Sequence, residues 1–226
     1  MNTAIIVAAG TGSRFNSDTP KQFHELQGKP VICHTLARFD ASSAVDSIVV
    51  VLAEDDIAGF SEINSRHRIN TPLTVVAGGR TRAHSVANGL AAADPNSNVI
   101  AVHDGARPMV TVDDIDRTIT RADETGAACL VVGVTDTIKE VDGDEIVGTL
   151  DRRALRRAVT PQAFRYDILK RAFADESVYE AATDECYLVE QLGISIAAVP
   201  GNSRNLKITY QDDLLIAGLF LSQEQE

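Results

Sequence analysis

"AIIVAAGTGSRFNSDTPKQF", residues 4–23, decides how the rest of the chain is read. An apolar run rich in β-branched residues ends in Ala8, Ala9, Gly10, Thr11 and Gly12. That is the pattern of a buried strand breaking into a glycine turn. Such a turn exposes backbone N–H groups that can cradle phosphate oxygens. Gly10 and Gly12 match the start of a GxGxxG fingerprint, but Phe15 stands where the third glycine belongs. No GxxxxGK[ST] occurs in the chain, which excludes a P-loop. Two spaced cations follow, Arg14 and Lys21. Pro20 disfavours helix at Thr19, and Asn16, Ser17 and Asp18 favour turns. A looped segment of this kind can bring an arginine fork and a lysine point charge round a polyphosphate. The alternative is a pair of solvated surface cations.

Working outward, residues 4–9, 47–52, 73–77, 98–102, 128–133 and 195–199 read as strands buried on both faces. Residues 31–39, 82–93 and 113–126 read as helices, with Pro30 in the first turn of one. Thr111 and Asp114 resemble a capping pair for another. This alternation predicts an α/β fold with a doubly wound, mostly parallel sheet, whose ligands bind at the carboxyl ends of the strands. Residues 135–152 break the rhythm: two short extended runs flank Asp142–Gly143, a dipeptide suited to a hairpin. Ile138, Val141, Ile146 and Leu150 then need cover, from their own domain or from a two-fold-related subunit. There are no repeats or obvious linkers, and residues 1–226 are expected to form one domain.

The 21 lysines and arginines against 32 acidic residues give a net charge of −11. That argues against nucleic acid or an anionic membrane as partner, since both reward a basic face. Cys33, Cys129 and Cys186 have neither the number nor the spacing of a disulfide framework or zinc motif. No signal-peptide pattern or membrane-length apolar run is present. The expectation is a soluble, cytoplasmic protein.

Asp104 in "VHDGARP" (102–108) lies at a predicted strand end. There it can ligate a magnesium ion beside a triphosphate, or form a structural ion pair with its basic neighbours. In "AGGRTRAHSVANGL" (77–90), Gly78 and Gly79 permit close backbone approach to a base, and Ser85 can hydrogen-bond it. The alternative is a plain helix-entry turn. "TPQAF" (160–164), "TDE" (183–185) and "NLKIT" (205–209) complete the series.

In this order over residues 3–218, these motifs resemble the 2-C-methyl-D-erythritol 4-phosphate cytidylyltransferase family. The resemblance implies a three-layer, nucleotide-diphospho-sugar transferase-like domain with a protruding β-hairpin dimerisation arm at about 135–152. It implies cytidylyl transfer from CTP to 2-C-methyl-D-erythritol 4-phosphate, in the non-mevalonate isoprenoid precursor pathway, assisted by Mg²⁺ or another divalent cation. Arg14, Lys21, Arg152 and Lys207 would be catalytic. Ala8, Ala9, Gly10, Thr11, Gly12, Gly79, Ser85 and Asp104 would hold the nucleotide, with Asp104 on the metal. Arg107, Thr137, Thr160, Arg152 and Lys207 would hold the acceptor, Arg152 arriving from the partner's arm. Arg153, Arg156 and Arg157 lie close enough to be mistaken for Arg152. Gly105 stands where the family more often has alanine, a change that relaxes the turn. The nearest rival is a ribitol 5-phosphate cytidylyltransferase, which shares the fold and most motifs. A nicotinamide dehydrogenase would need the missing third glycine.

Overall fold

The computed structural model describes residues 1–10, 12–17, 19–179 and 182–224. Strand β1 (Asn2–Ala8) divides its side chains between two cores, as a strand covered on both faces must. Ala4, Ile6 and Ala8 enter one core and Ile5 the other. The chain continues through 3-10 turns at Ser13–Phe15 and Lys21–Phe23 and a ribbon of β2 (Glu25–Leu26) and β3 (Lys29–Pro30). Then come α1 (Val31–Asp40), β4 (Ser47–Leu52), α2 (Ile57–Arg66), β5 (Leu73–Ala77), α3 (Arg82–Ala92) and β6 (Val99–Asp104). After α4 (Val112–Thr125) and β7 (Ala127–Gly133) a hairpin of β8 (Lys139–Asp142) and β9 (Glu145–Thr149) intervenes. The rest is β10 (Arg156–Arg165), α5 (Tyr166–Ala172), α6 (Glu176–Tyr179), α7 (Glu185–Gln191), β11 (Ala197–Pro200) and α8 (Gln211–Glu224).

Among the described residues the central sheet has seven strands, in the order β11-β7-β10-β6-β1-β4-β5. Its pairs are parallel except where β10 runs antiparallel between β6 and β7. Phe39 of α1, Phe60 of α2 and Ile115 of α4 cover one face. Val86 of α3, Leu169 of α5 and Val189 of α7 cover the other. From β1 the chain winds outward through β4 and β5, while β6 takes the opposite flank. The carboxyl ends of β1 and β6 therefore bound the switch point, where a doubly wound sheet leaves a crevice.

The missing third glycine has a structural answer. Phe15 is buried in a third cluster with Leu26, Val31, Met109, Ile208 and Leu221, beneath α8. Close helix–sheet approach falls to Gly89 instead. A Cβ there would lie 2.6 Å from Ile5 Cγ2 and 2.9 Å from Val51 Cγ2, inside any real contact.

Several expectations are revised. Strand β10 escaped notice because "RRAVTPQAFR" opens on two arginines and carries Pro161, which argues against an interior strand. A register shift between Ala158 and Gln162 accommodates the proline. Pro30 is the residue before α1, with extended ψ 142, and not its first turn. Thr111 caps α4 by accepting from the Asp114 N–H. The carboxylate of Asp114 turns to Arg117 and the Asn202 N–H, so the capping is one-sided. The hairpin loop is Gly143–Asp144, one residue later than expected, with Gly143 at φ +55 and Asp142 paired to Glu145. Most of its apolar residues are not folded back onto their own domain: Val141 and Ile146 are 62% and 66% exposed, Val147 and Leu150 are also exposed, and Ile138 is half-buried. No described helix is long and apolar enough to cross a membrane.

Candidate active site

A cleft of about 350 Å³ opens at the switch point. Its floor is the end of β1 (Val7, Ala8) with Ala9 and Gly10, and Gln22 beside them. The Gln22 side-chain amide donates to the Ala8 carbonyl at 2.8 Å, so the segment carrying Lys21 is tied to the strand it follows. Gly12, at φ +67, lies in left-handed space, and a Cβ there would sit 3.4 Å from the Lys21 stem. Thr11 lies outside the described residues. One wall is Gly79, Arg80, Thr81, Arg82 and Ser85; the other holds Asp104, Ala106 and Lys207.

The glycines of the first wall are there for packing. A Cβ on Gly78 would meet Ala9 Cβ at 2.4 Å, and one on Gly79 would meet His84 Cβ at 2.4 Å. Thr81 caps α3 through the His84 N–H. Ser85 Oγ donates to the Thr81 carbonyl at 3.0 Å and accepts from the Gly79 N–H at 3.1 Å. Its proton is committed within the turn, which leaves acceptor capacity toward a ligand. Gly105 holds the opposite turn tight rather than relaxing it: its N–H donates to the Val7 carbonyl at 2.8 Å, and a Cβ would lie 2.8 Å from Ala8 Cβ.

Asp104 is the acidic residue of the cleft among the described residues, and three cations share it. Arg82 Nε lies 3.2 Å from Oδ1, and Arg107 Nε and Lys207 Nζ each lie 3.1 Å from Oδ2. Burial alone would raise its pKa. Arg82, Lys207 and Arg107 reverse that and hold the carboxyl well below the usual range. Behind it, Thr160 Oγ1 accepts from the Asp104 N–H at 3.1 Å and pairs with His103 Nδ1 at 3.0 Å. His103 Nε2 meets the Arg107 carbonyl at 3.2 Å. Burial pushes His103 down to about 3, so it is a neutral strut. Arg107 also donates to the Asn205 carbonyl at 3.0 Å.

One chain thus gathers Ala8, Ala9, Gly10, Lys21, Gly79, Ser85, Asp104 and Lys207 on the cleft. Arg107 and Thr160 stand behind Asp104 as supports. Arg14 is exposed, near enough for its charge to act on Lys21. Thr137 and Arg152 are not brought to this cleft. Both are exposed near the hairpin, where Arg152 donates to the Thr135 carbonyl. Sequence reading missed Gln22, Arg82 and Glu185. A cation at the first position of α3 was the available signal, because the positive helix end disfavours it unless anions lie close.

Lys21 is held below the ordinary lysine value of 10.5, first by burial and then by the charge of Lys207. The charged form is the one that attracts phosphate. The alkaline limb of kcat/KM is therefore expected at lower pH than an ordinary lysine would set. A phosphate ligand held on Lys21 would favour the ammonium and place the limb of kcat higher. Lys21→Arg should move the kcat/KM limb upward in a pH–rate profile; an unmoved limb assigns it to another group.

Among the described residues no group of three His, Cys, Asp or Glu side chains is placed to hold a metal ion. A single carboxylate suits a hard divalent cation only when substrate phosphates fill most of its octahedron. Asp104 would fit such an ion only with substrate phosphates filling its remaining positions.

A doubly wound sheet with a cationic cleft between two glycine turns defines an α/β domain of the nucleotide-binding class. The family profile of 2-C-methyl-D-erythritol 4-phosphate cytidylyltransferase matches residues 2–223, and the chain belongs to that family. The enzyme of that name from Bacillus licheniformis is 41% identical over 227 residues, covering 100% of this chain and 98% of the relative. That from Pelotomaculum thermopropionicum is 42% identical over 226 residues, covering 98% and 94%. The crystal structure of 4-diphosphocytidyl-2C-methyl-D-erythritol synthase from Anaerococcus prevotii superimposes with a TM-score of 0.85 at 29% identity, covering 98% of this chain and 96% of that one. The Francisella tularensis enzyme gives 0.79 at 33% identity, covering 96% and 98%.

Proposed function

We propose that the chain transfers a cytidylyl group from CTP to 2-C-methyl-D-erythritol 4-phosphate, releasing pyrophosphate. The observation that carries this reading is the convergence of Lys21 and Lys207 on the backbone of Ala8–Gly10, in a chain of this family. An oxygen of the acceptor phosphate attacks the α-phosphorus of CTP. A new P–O bond forms, the α–β bridging bond breaks, and the electron pair leaves with pyrophosphate. A phosphate monoester has a second pKa of about 6, so the nucleophile is mostly dianionic at pH 7 and needs no general base. That agrees with a site in which His103, next to Asp104 in the chain, is buried and neutral.

What remains is to bring two anions together in line and stabilise the charge that builds at phosphorus. Lys21 and Arg14 take the triphosphate. Lys207 leaves Asp104 for the acceptor phosphate, which Arg152 of the partner subunit grips from the far side. Ala8, Ala9, Gly10 and Gly12 lie along the nucleotide, and Gly79 and Ser85 face its base. Asp104 would hold a Mg²⁺ ion carried in by CTP. That ion, when bound, neutralises charge on the phosphates. Exposed Val141, Ile146, Val147 and Leu150 support pairing of two subunits through the hairpin.

Pyrophosphate release from CTP, measured across a panel of polyol phosphates with ATP, GTP and UTP as controls, tests the reading. The expected result is release with CTP and methylerythritol phosphate together. Preference for ribitol 5-phosphate would reassign the acceptor, and no release with any acceptor would overturn the enzyme.

A further inference from the structure

Glu185 is 1% exposed and lies behind the cleft against Arg82. It opens α7, whose start is capped by Asp184 Oδ1 accepting from the Tyr187 N–H at 2.9 Å. Gln162 of β10 braces that turn twice. Its amide donates to Asp184 Oδ2 at 2.9 Å, and its carbonyl accepts from the Cys186 N–H at 3.0 Å. From this mount the Glu185 carboxylate takes both ends of the Arg82 fork, Nη1 at 2.6 Å and Nη2 at 3.1 Å. The third Arg82 nitrogen, Nε, reaches Asp104 Oδ1 at 3.2 Å.

The three cations on Asp104 are therefore not equivalent. Arg82 is stretched between two carboxylates by three contacts. Lys207 holds Oδ2 by its ammonium alone and is 34% exposed. Arg82 nevertheless lines the cleft, and a guanidinium freed from its partners is drawn to phosphate in bidentate fashion. We propose that Glu185 is a positioning residue that withholds Arg82 from the incoming phosphates, leaving them to Lys21 and Lys207. This rests on the cleft being the CTP site. Arg82 stays on Asp104 as a fixed counter-ion, and only the cations that can turn toward reacting phosphates do so. An Arg82 loosed into the cleft would bind the triphosphate in its ground state and hold it out of line.

Two variants test this. Glu185→Gln keeps the shape and removes the charge. The expected result is a kcat lowered at least tenfold, with KM for CTP unchanged or lower and CTP binding by equilibrium dialysis as tight or tighter. A loosened site would raise KM and weaken CTP binding, and that pattern overturns the proposal, as does an unchanged kcat. Arg82→Gln combined with Glu185→Gln removes both charges together and remains informative where the single variant fails to fold. If Arg82 never touches phosphate in the native enzyme, the double variant binds CTP within about threefold of wild type. A tenfold loss would make Arg82 a phosphate ligand and overturn the proposal. Wild-type CTP binding, measured alongside, tests the cleft assignment separately.

Discussion

Lys21→Ala is expected to lower kcat by on the order of a hundredfold to a thousandfold, the loss typical of one preorganised donor at a developing charge, while the chain still folds. The physical grounds lie in where the ammonium sits. Its stem runs against Gly12, its turn is anchored by the Gln22 bond to Ala8, and its head is partly buried on the cleft. Partial burial lowers the effective dielectric, so the charge acts more strongly on a phosphorane than it would in water. Truncation removes that charge and little packing, because Gln22 and Phe15, not Lys21, hold the segment to the body. Arg14→Ala is expected to act in the same direction. Lys21→Arg restores charge but replaces a point donor with a fork, so recovery is partial. Steady-state pyrophosphate release gives the rate, and thermal melting shows whether the fold persists. Near-normal turnover in Lys21→Ala would remove Lys21 from transition-state stabilisation.

The strands β1, β4, β5, β6 and β7 were legible because each is a short β-branched run covered on both faces, a pattern that depends on few distant contacts. β10 was not, because its place is decided by what flanks it: a proline and two arginines are tolerated where the register slips between β6 and β7. The cleft was legible in part for a similar reason. Glycine turns at strand ends and spaced cations leave a local trace, so Gly10, Lys21 and Asp104 could be singled out from sequence, whereas Lys207 was named only through the family resemblance. Glu185 could not. Its partner lies 103 positions away, and nothing local marks a glutamate that will be buried against an arginine. The sharing of Asp104 among three cations is likewise a product of the switch point, which brings α3, β6 and the segment before α8 to one spot.

Two inactive variants, Arg152→Ala and Lys21→Ala, are expected to regain activity when their subunits are mixed and exchanged. In the structure Arg152 is exposed at the foot of the hairpin, bonded to the Thr135 carbonyl and absent from its own chain's cleft. Of its neighbours, Arg153 is forked onto Asp151, with 2.8 Å between Nη2 and Oδ2, and Arg156 donates to the carbonyls of Arg153 and Leu155. If the hairpin lays Arg152 across the partner's site, each variant alone lacks one group in both sites. In a mixed dimer the Arg152→Ala chain supplies its own Lys21 and receives Arg152 from its partner, so one site of two is whole. Random exchange makes half the dimers mixed, and the recovered activity is about a quarter of wild type. A site complete within one chain predicts none. Trimming residues 138–150 provides the companion measurement: removal of the exposed Val141, Ile146, Val147 and Leu150 should yield inactive monomers by light scattering, and an active monomer would exclude a shared site.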